Sequence, residues 1–225
     1  TGPIVTVAHD WGGPVSLGWA LDHTSQLAGI VLLNTAIHQP ENTHAPSLIR
    51  LARSRPLLNL NTRLTSLFIT STTGLSRVAR GGNPRLSKAD ADTYLAPYDE
   101  ADRRAGVRHF VADIPLEDDH PSARELDRIA EGVRGLTDVP VLLLWGPDDP
   151  VFSDIYLHDL EERFPHAQVH RYEGARHLVI DDAPALVGDL LEWVATGPVM
   201  PEQPGMVGTP SSLNDALLAR AQDST

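Results

Sequence analysis

Ala8-His9-Asp10-Trp11-Gly12-Gly13 is the stretch on which the reading of this chain turns. Pro3 to Ala8 reads Pro-Ile-Val-Thr-Val-Ala, a short β-branched run that predicts a buried strand. Gly12 to Leu21 predicts a helix. A strand-to-helix turn this sharp needs small residues two before and two after the residue at its tip, because larger side chains collide there. Ala8 and Gly12 meet that need, and Gly13 eases the helix against the strand. Asp10 is therefore expected where a nucleophile projects from the turn. The helix N-terminus favours its charged form by roughly 0.3–1 kcal/mol. The Trp11 N–H is the natural first donor to an oxyanion or a leaving group. Asp is also a good N-cap, so the turn alone leaves a purely structural Asp10 open.

Two later segments weigh against that bland reading. Trp145-Gly146-Pro147-Asp148-Asp149-Pro150-Val151 follows Val139 to Trp145, a buried strand by its apolar run. Sites in parallel sheets gather at such carboxyl ends. Asp149 sits three after Gly146, where an acid can hold an imidazole in one tautomer and stabilise its charged form. Asp148 is its neighbour and reads as a turn residue. Gly174-Ala175-Arg176-His177-Leu178 lies just past Gln168 to Tyr172, a short expected strand. His177 can swing over the turn as a general base. The order nucleophile, acid, histidine suits such a sheet, and 28 residues separate Asp149 from His177, room for a helix, a strand and a loop. The chain holds ten histidines, and His177 stands out by position. His9, beside Asp10, is its rival, expected to pack or hydrogen-bond near the turn and to border a substrate pocket.

Ala28 to Asn34 is another apolar run, read as a strand. Near-continuous apolar runs mark parallel strands covered on both faces. From about Thr35 to Asp138 apolar residues recur at helical spacing, and this block reads as a helical insertion. Ser122 to Leu136 is its clearest helix, with Ser122 and Glu125 as a capping box and Leu126, Ile129, Val133 and Leu136 on one face. Ser87 to Tyr94 and Asp99 to Phe110 are further expected helices, and Leu57 to Ile69 is a helix or a lining segment. Ser153 to Phe164 predicts a helix, and Ala183 to Val194 another, with Leu186, Leu190, Leu191 and Val194 inward. The layout is residues 1–34 core, 35–138 cap, 139–195 core, and 196–225 a Pro/Gly-rich linker leading into an expected helix at Ser211 to Ala221. Strands alternating with helices give an α/β class with a mostly parallel sheet.

The chain has 225 residues, 41% of them hydrophobic, enough for a buried core. Aromatics are only 5%, so that core is aliphatic. A formal net charge of −12 argues against nucleic acid or an anionic membrane as partner. A small apolar substrate suits it better. The absence of cysteine excludes disulfides, thiolate metal sites and a Cys nucleophile, and fits the cytoplasm. No His-Glu-x-x-His spacing appears, and no metal or other cofactor is expected.

The His9-Asp10-Trp11-Gly12-Gly13 turn, the Trp145-Gly146-x-x-Asp149 turn and the late His177 resemble the α/β-hydrolase fold, in its haloalkane dehalogenase and epoxide hydrolase branch, over about Pro3 to Val194. That resemblance implies an Asp nucleophile that forms an ester, a His-activated water, and a helical cap over the pocket. It also implies that the Trp11 indole N–H serves the leaving group. Epoxide hydrolases use cap tyrosines. Tyr94 and Tyr98 are the tyrosines available to a pocket, yet Arg108-His109-Phe110 lacks the one expected late in the cap. Tyr94 to Tyr98 and Ala112 to Pro115 look like a dehalogenase-type cap. A third member, the β-lactone decarboxylase of bacterial long-chain olefin synthesis, shares this turn and cap and is in some bacteria fused to an AMP-forming β-lactone synthetase. Ser211 to Ala221 resembles the first helix of an adenylate-forming domain. The resemblance therefore favours a β-lactone decarboxylase, fused to or assembled with the synthetase and other enzymes of olefin synthesis. Haloalkane dehalogenase and epoxide hydrolase are the alternatives, and a non-catalytic interaction module is the alternative of another class.

The resemblance also implies a sheet of about eight strands in which the nucleophile follows the fifth. The chain opens at Thr1 without a methionine, so it is expected to be the C-terminal part of such a sheet. The expectation is a piece that folds poorly and is inactive alone, with Ile4 to Ala8 as a bare edge strand.

Overall fold

Four parallel strands, Ile4–His9 (β1), Leu27–Leu33 (β2), Val141–Trp145 (β3) and Gln168–Arg171 (β4), pair in the order β1-β2-β3-β4 in the computed structural model. The structure describes residues 3–40, 44–45, 47–65, 69–70, 73, 86–117 and 119–196. Gly12–Asp22 (α1) crosses from β1 to β2. Between β2 and β3 the described elements are helical: Ser47–Arg53 (α2), Arg55–Asn59 (α3), Lys88–Leu95 (α4), Ala105–Ala112 (α5) and Ala123–Gly132 (α6). Asp154–Arg163 (α7) joins β3 to β4, and Val179–Asp182 (α8) and Ala185–Thr196 (α9) close the described chain.

The two central strands are buried along their whole length. Successive side chains of a strand point to opposite faces, and the packing divides accordingly. Ile30, Leu32, Leu143 and Trp145 pack with residues of α1, α6 and α7. Val31, Leu33, Leu142 and Leu144 pack with Val179, Leu186 and Trp193 of α8 and α9. Each large aliphatic side chain buried this way contributes roughly 1.5–3 kcal/mol. β1 forms one edge of the described sheet, and its Val7 is 55% exposed.

The register brings the chemistry together. His9 lies opposite Leu33, and Leu33 opposite Leu144. Asp10, Asn34 and Gly146 therefore leave neighbouring strands at one carboxyl edge. Arg171 is level with Trp145, so the segment carrying His177 leaves at the same edge.

The helices differ from the sequence reading in several places. Ser122 already has helical dihedrals, and its hydroxyl donates to Asp113 at 2.8 Å, so the expected capping box does not form. Glu125 instead pairs with Arg128. The buried face of Leu126, Ile129, Val133 and Leu136 is as expected. Ser87 caps α4, accepting from the Asp90 main-chain N–H. The helix expected from Asp99 begins only at Ala105, after turns. Within 57–69, α3 widens into a π-helical turn at Leu60–Leu64, and part of the remainder lies outside the described residues. On α9, Leu191 is 47% exposed while Trp193 is buried, which reverses the expected inward role of Leu191. An indole buries far more surface than a leucine, and the helix turns to hide it. The expected linker and the helix at Ser211 to Ala221 lie outside the described residues. Among the described residues no helix is long and apolar enough to cross a membrane.

Candidate active site

Asp10 stands at the tip of the β1–α1 turn with φ 52°, a left-handed conformation that costs a non-glycine residue energy and exposes its side chain. The turn is pinned through its backbone. The Asp10 N–H donates to the Asn34 carbonyl at 3.2 Å, and its carbonyl accepts from Gly13 N–H at 3.0 Å and from Thr35 Oγ1 at 2.6 Å. A methyl group on Gly12 would make only ordinary contact with Ala8, at 3.6 Å. On Gly13 it would meet Thr35 Oγ1 at 2.0 Å. Gly13 rather than Gly12 is thus the glycine the turn demands.

Asp149 is 3% exposed. Its Oδ2 lies 2.9 Å from His177 Nδ1 and accepts from Asn34 Nδ2 at 3.1 Å, while Oδ1 accepts from Val151 N–H at 2.8 Å. On the other side of the ring, His177 Nε2 is 3.4 Å from Asp10 Oδ2. The structure thus brings Asp10, His177 and Asp149 into one line, and Asp148 takes no part in it. Gly146 permits the approach of the histidine segment, because a side chain there would strike the Arg176 carbonyl at 2.7 Å.

The charges follow from this geometry. Burial works against the His177 cation, but its hydrogen bonds to Asp10 and Asp149, with their charges, push its pKa up to about 10. Burial likewise raises Asp10. The hydrogen bond and charge of His177, helped by His9 and the Trp11 main-chain N–H, outweigh that and hold its carboxyl below the usual value. Both shifts favour the charged forms, a carboxylate on Asp10 and an imidazolium on His177.

Asp10, Trp11, His9 and His177 all line a cavity of about 690 Å³, whose walls include Ile37, Ile49, Val111 and Phe152. Phe110 of α5 also lines it, with its ring 5.9 Å from that of Trp11. Phe152 stacks on His177 at 5.8 Å. Such a volume and lining suit one largely apolar small molecule. Tyr94 and Tyr98 are absent from the lining, contrary to the sequence reading. The Tyr94 hydroxyl is spent on Asp181 at 2.7 Å, and burial and that bond push its pKa up to about 12. The Tyr98 carbonyl accepts from Arg104. Among the described residues no group of three or more His, Asp or Glu side chains is disposed to hold a metal ion.

Asn34 is the residue that sequence reasoning missed. It is fully buried with φ 25°. Its amide donates to the Gly146 carbonyl at 2.8 Å as well as to Asp149, and its Oδ1 accepts from Gly146 N–H at 2.7 Å. The only signal was a polar residue ending an apolar strand.

A sequence profile of the α/β-hydrolase fold matches residues 1–184. The chain belongs to the α/β-hydrolase fold family. A cis-3-alkyl-4-alkyloxetan-2-one decarboxylase of Xanthomonas campestris pv. campestris is 33% identical over 184 residues, covering 81% of this chain and 59% of that protein. Its counterpart in Shewanella oneidensis is 32% identical over 183 residues, covering 80% and 56%. Haloalkane dehalogenase 2 of Mycobacterium tuberculosis is 28% identical over 183 residues, covering 80% and 60%. This α/β-hydrolase chain therefore spans less than two thirds of the length of these relatives. Among solved structures, an ancestral haloalkane dehalogenase superposes with a TM-score of 0.73 at 18% identity, covering 86% of this chain and 68% of that one. Haloalkane dehalogenase DbeA from Bradyrhizobium elkani superposes with a TM-score of 0.71 at 18% identity, covering 84% and 66%. At that identity the likeness is one of fold.

Proposed function

We propose that this chain carries the catalytic centre of a decarboxylase that converts a cis-β-lactone bearing two alkyl chains into an alkene and carbon dioxide. Asp10 is the nucleophile, the Trp11 indole N–H serves the departing oxygen, and His177 with Asp149 sets the charge beside Asp10. The observation that carries the reading is the Asp10 carboxylate lining an apolar cavity, with Oδ2 3.4 Å from His177 Nε2. The two relatives at 33% and 32% identity whose names specify this reaction support it.

The electron count favours attack at the β-carbon. Asp10 Oδ2 forms a bond to that carbon, and the ring C–O bond breaks to release a carboxylate. The bond from the α-carbon to that carboxylate then breaks, its electron pair becomes the alkene, and the Asp10 carboxylate is expelled. Carbon dioxide leaves, and neither water nor a proton is consumed. Attack at the carbonyl would give an anhydride and an alkoxide, from which no carbon dioxide departs without reversal. A charged His177 suits the first route, since no base is required.

The second reading is hydrolysis of a carbon–halogen bond, favoured by Trp11 beside the nucleophile and by the dehalogenase relative at 28% identity. Here His177 must lose its proton to activate water. Esterification of Asp10 removes one of the two charges holding that proton. The full-length protein assayed in parallel on the cis-dihexyl β-lactone and 1-bromohexane tests both readings. Alkene from the lactone with little bromide from the haloalkane is expected. Bromide release with the lactone untouched overturns the proposal in favour of the dehalogenase, and inertness to both favours a binding module. A β-lactone-forming enzyme as fused or neighbouring partner, in the cytoplasm, belongs to the same proposal. It is supported by the resemblance of Ser211 to Ala221 to an adenylate-forming domain.

A further inference from the structure

His9 directly precedes the nucleophile, yet its side chain reaches a residue 168 positions along the chain. His9 Nε2 lies 2.7 Å from the main-chain oxygen of His177, and the two rings pack with centroids 4.7 Å apart. A carbonyl only accepts, so Nε2 carries a proton and donates.

The distances show what this bond does. His177 Nδ1 is held by Asp149 at 2.9 Å, a normal hydrogen bond, whereas His177 Nε2 and Asp10 Oδ2 stand 3.4 Å apart. Asp10 therefore holds the imidazole more loosely than Asp149 does. A ring held closely at Nδ1 and loosely at Nε2 can pivot about Nδ1. The neighbouring main chain is anchored to its own side of the site, through the Arg176 N–H to Asp182 at 2.8 Å and the Ala175 carbonyl from Asp148 N–H at 3.0 Å. The His9 bond ties this segment to the turn that carries Asp10. His9 and Asp10 are consecutive, so the link moves with the nucleophile.

We propose that His9 is a positioning residue, whose Nε2–H grips the His177 main-chain oxygen and thereby fixes the imidazole relative to the Asp10 carboxylate. This rests on the catalytic reading given above and adds a residue to it. The groups acting on the charge of His9 are His177, Asp10 and Asp149. Burial and then the positive His177 disfavour a second cation, and they outweigh the pull of the two carboxylates and of the His177 carbonyl that accepts from Nε2, so its pKa is lowered. The donor is thus a neutral imidazole, and it adds no positive charge beside Asp10.

The test uses two variants of the full-length protein. His9→Phe keeps a flat ring but removes the donor, and His9→Gln places an amide N–H close to the position of Nε2. One readout needs no substrate: the low-field proton resonance of the His177 Nε2–H, which faces Asp10. The other is kcat and KM on the cis-dihexyl β-lactone. His9→Phe should broaden or lose the resonance and lower kcat by about tenfold to a hundredfold, the cost of a misplacement near 1 Å, with KM little changed. His9→Gln should keep the resonance and stay within about threefold of the parent kcat. A folded His9→Phe with an unchanged resonance overturns the proposal. So does equal loss in both variants, since the ring and not the hydrogen bond would then matter. If His9→Phe does not fold, His9→Gln decides alone: a retained resonance supports the proposal, and its loss in a folded protein overturns it. The resonance stands even if the lactone is the wrong substrate, so failure of the reaction and failure of this assignment are told apart.

Discussion

Asn34 and Asp149 meet across the carboxyl ends of β2 and β3, with the Asn34 amide nitrogen 3.1 Å from Asp149 Oδ2. The same amide exchanges two hydrogen bonds with the Gly146 main chain, and the Asn34 carbonyl accepts from Asp10 N–H. One buried side chain and its backbone thus tie the turn of Asp149 to the turn of Asp10. Asn34→Ala strands the Gly146 N–H, leaves the Gly146 carbonyl with the longer bond from Asp149 N–H at 3.3 Å, and removes one donor from Asp149. A stranded buried group costs about 1–3 kcal/mol, which in a domain of this size lowers Tm by roughly 2–12 °C. A thermal melt checks this, and kcat should fall more than KM rises. An unchanged melt would mean that the clamp contributes nothing.

What could be read in advance depended on how local the physics is. β2 and β3 announced themselves because a strand buried on both faces must be apolar throughout. Asp10, Asp149 and His177 were legible because each follows a strand, and parallel strands deliver their ends to one edge. Asn34 was not, since an Asn ending a strand reads as a turn residue until Gly146 is seen beside it. The His9 contact was invisible for the same reason, as its partner is a main-chain oxygen 168 residues away. Ser122 has a capping sequence, but Asp113 offers its hydroxyl a charged acceptor and wins. Tyr94 was drawn off the cavity by Asp181 on α8, a partner that helical periodicity cannot reveal.

Replacing either end of the reacting pair separates the two chemistries. On the proposed mechanism, Asp10→Ala should abolish turnover by the full-length protein, because losing a nucleophile costs several orders of magnitude, and Asp10→Asn should recover slowly as it deamidates. More than about a tenth of the parent rate in Asp10→Ala would remove Asp10 from the role. His177→Gln, followed by intact-mass spectrometry, should accumulate an ester with 1-bromohexane if water must be activated. With the β-lactone no adduct should build up, since the alkene-forming step itself frees Asp10.

The charged pair also predicts how stability follows pH. An unfolded histidine titrates near 6.5, and in the fold His177 is raised to about 10. The folded state binds that proton more tightly, so the contribution is complete below about pH 6.5 and is lost as pH rises to about 10. Asp10 runs the other way. Its lowered carboxyl contributes above the unfolded value of 3.8 and is lost as pH falls through its folded value. The gap in unfolding free energy between the parent and His177→Gln, measured in urea, should be greatest near pH 6 and shrink toward pH 10. A gap that stays flat over that range would mean His177 is neutral in the fold.

Gly13 and Thr35 form the tightest joint in the β1–α1 turn, and their coupling can be measured. A β-carbon on Gly13 would stand 2.0 Å from Thr35 Oγ1 and 2.9 Å from both Thr35 Cβ and Cγ2. Thr35 is 1% exposed and cannot swing into solvent. Its hydroxyl holds the Asp10 carbonyl at 2.6 Å, so whatever displaces Thr35 also loosens the strained residue at the tip. Gly13→Ala should cost about 1–3 kcal/mol from overpacking and lower kcat. Thr35→Ala should cost about 0.5–1.5 kcal/mol for the lost hydrogen bond. In the double variant the clash with Oγ1 and Cγ2 is gone, and the hydrogen bond cannot be lost twice. The combined penalty should therefore fall short of the sum by about 0.5–3 kcal/mol, the range for residues in contact. Urea unfolding of the full-length protein and its two single and one double variants gives the cycle. Strictly additive penalties would mean that the helix start shifts to absorb the extra carbon, and that Thr35 does not hold the turn in the way its hydrogen bond suggests.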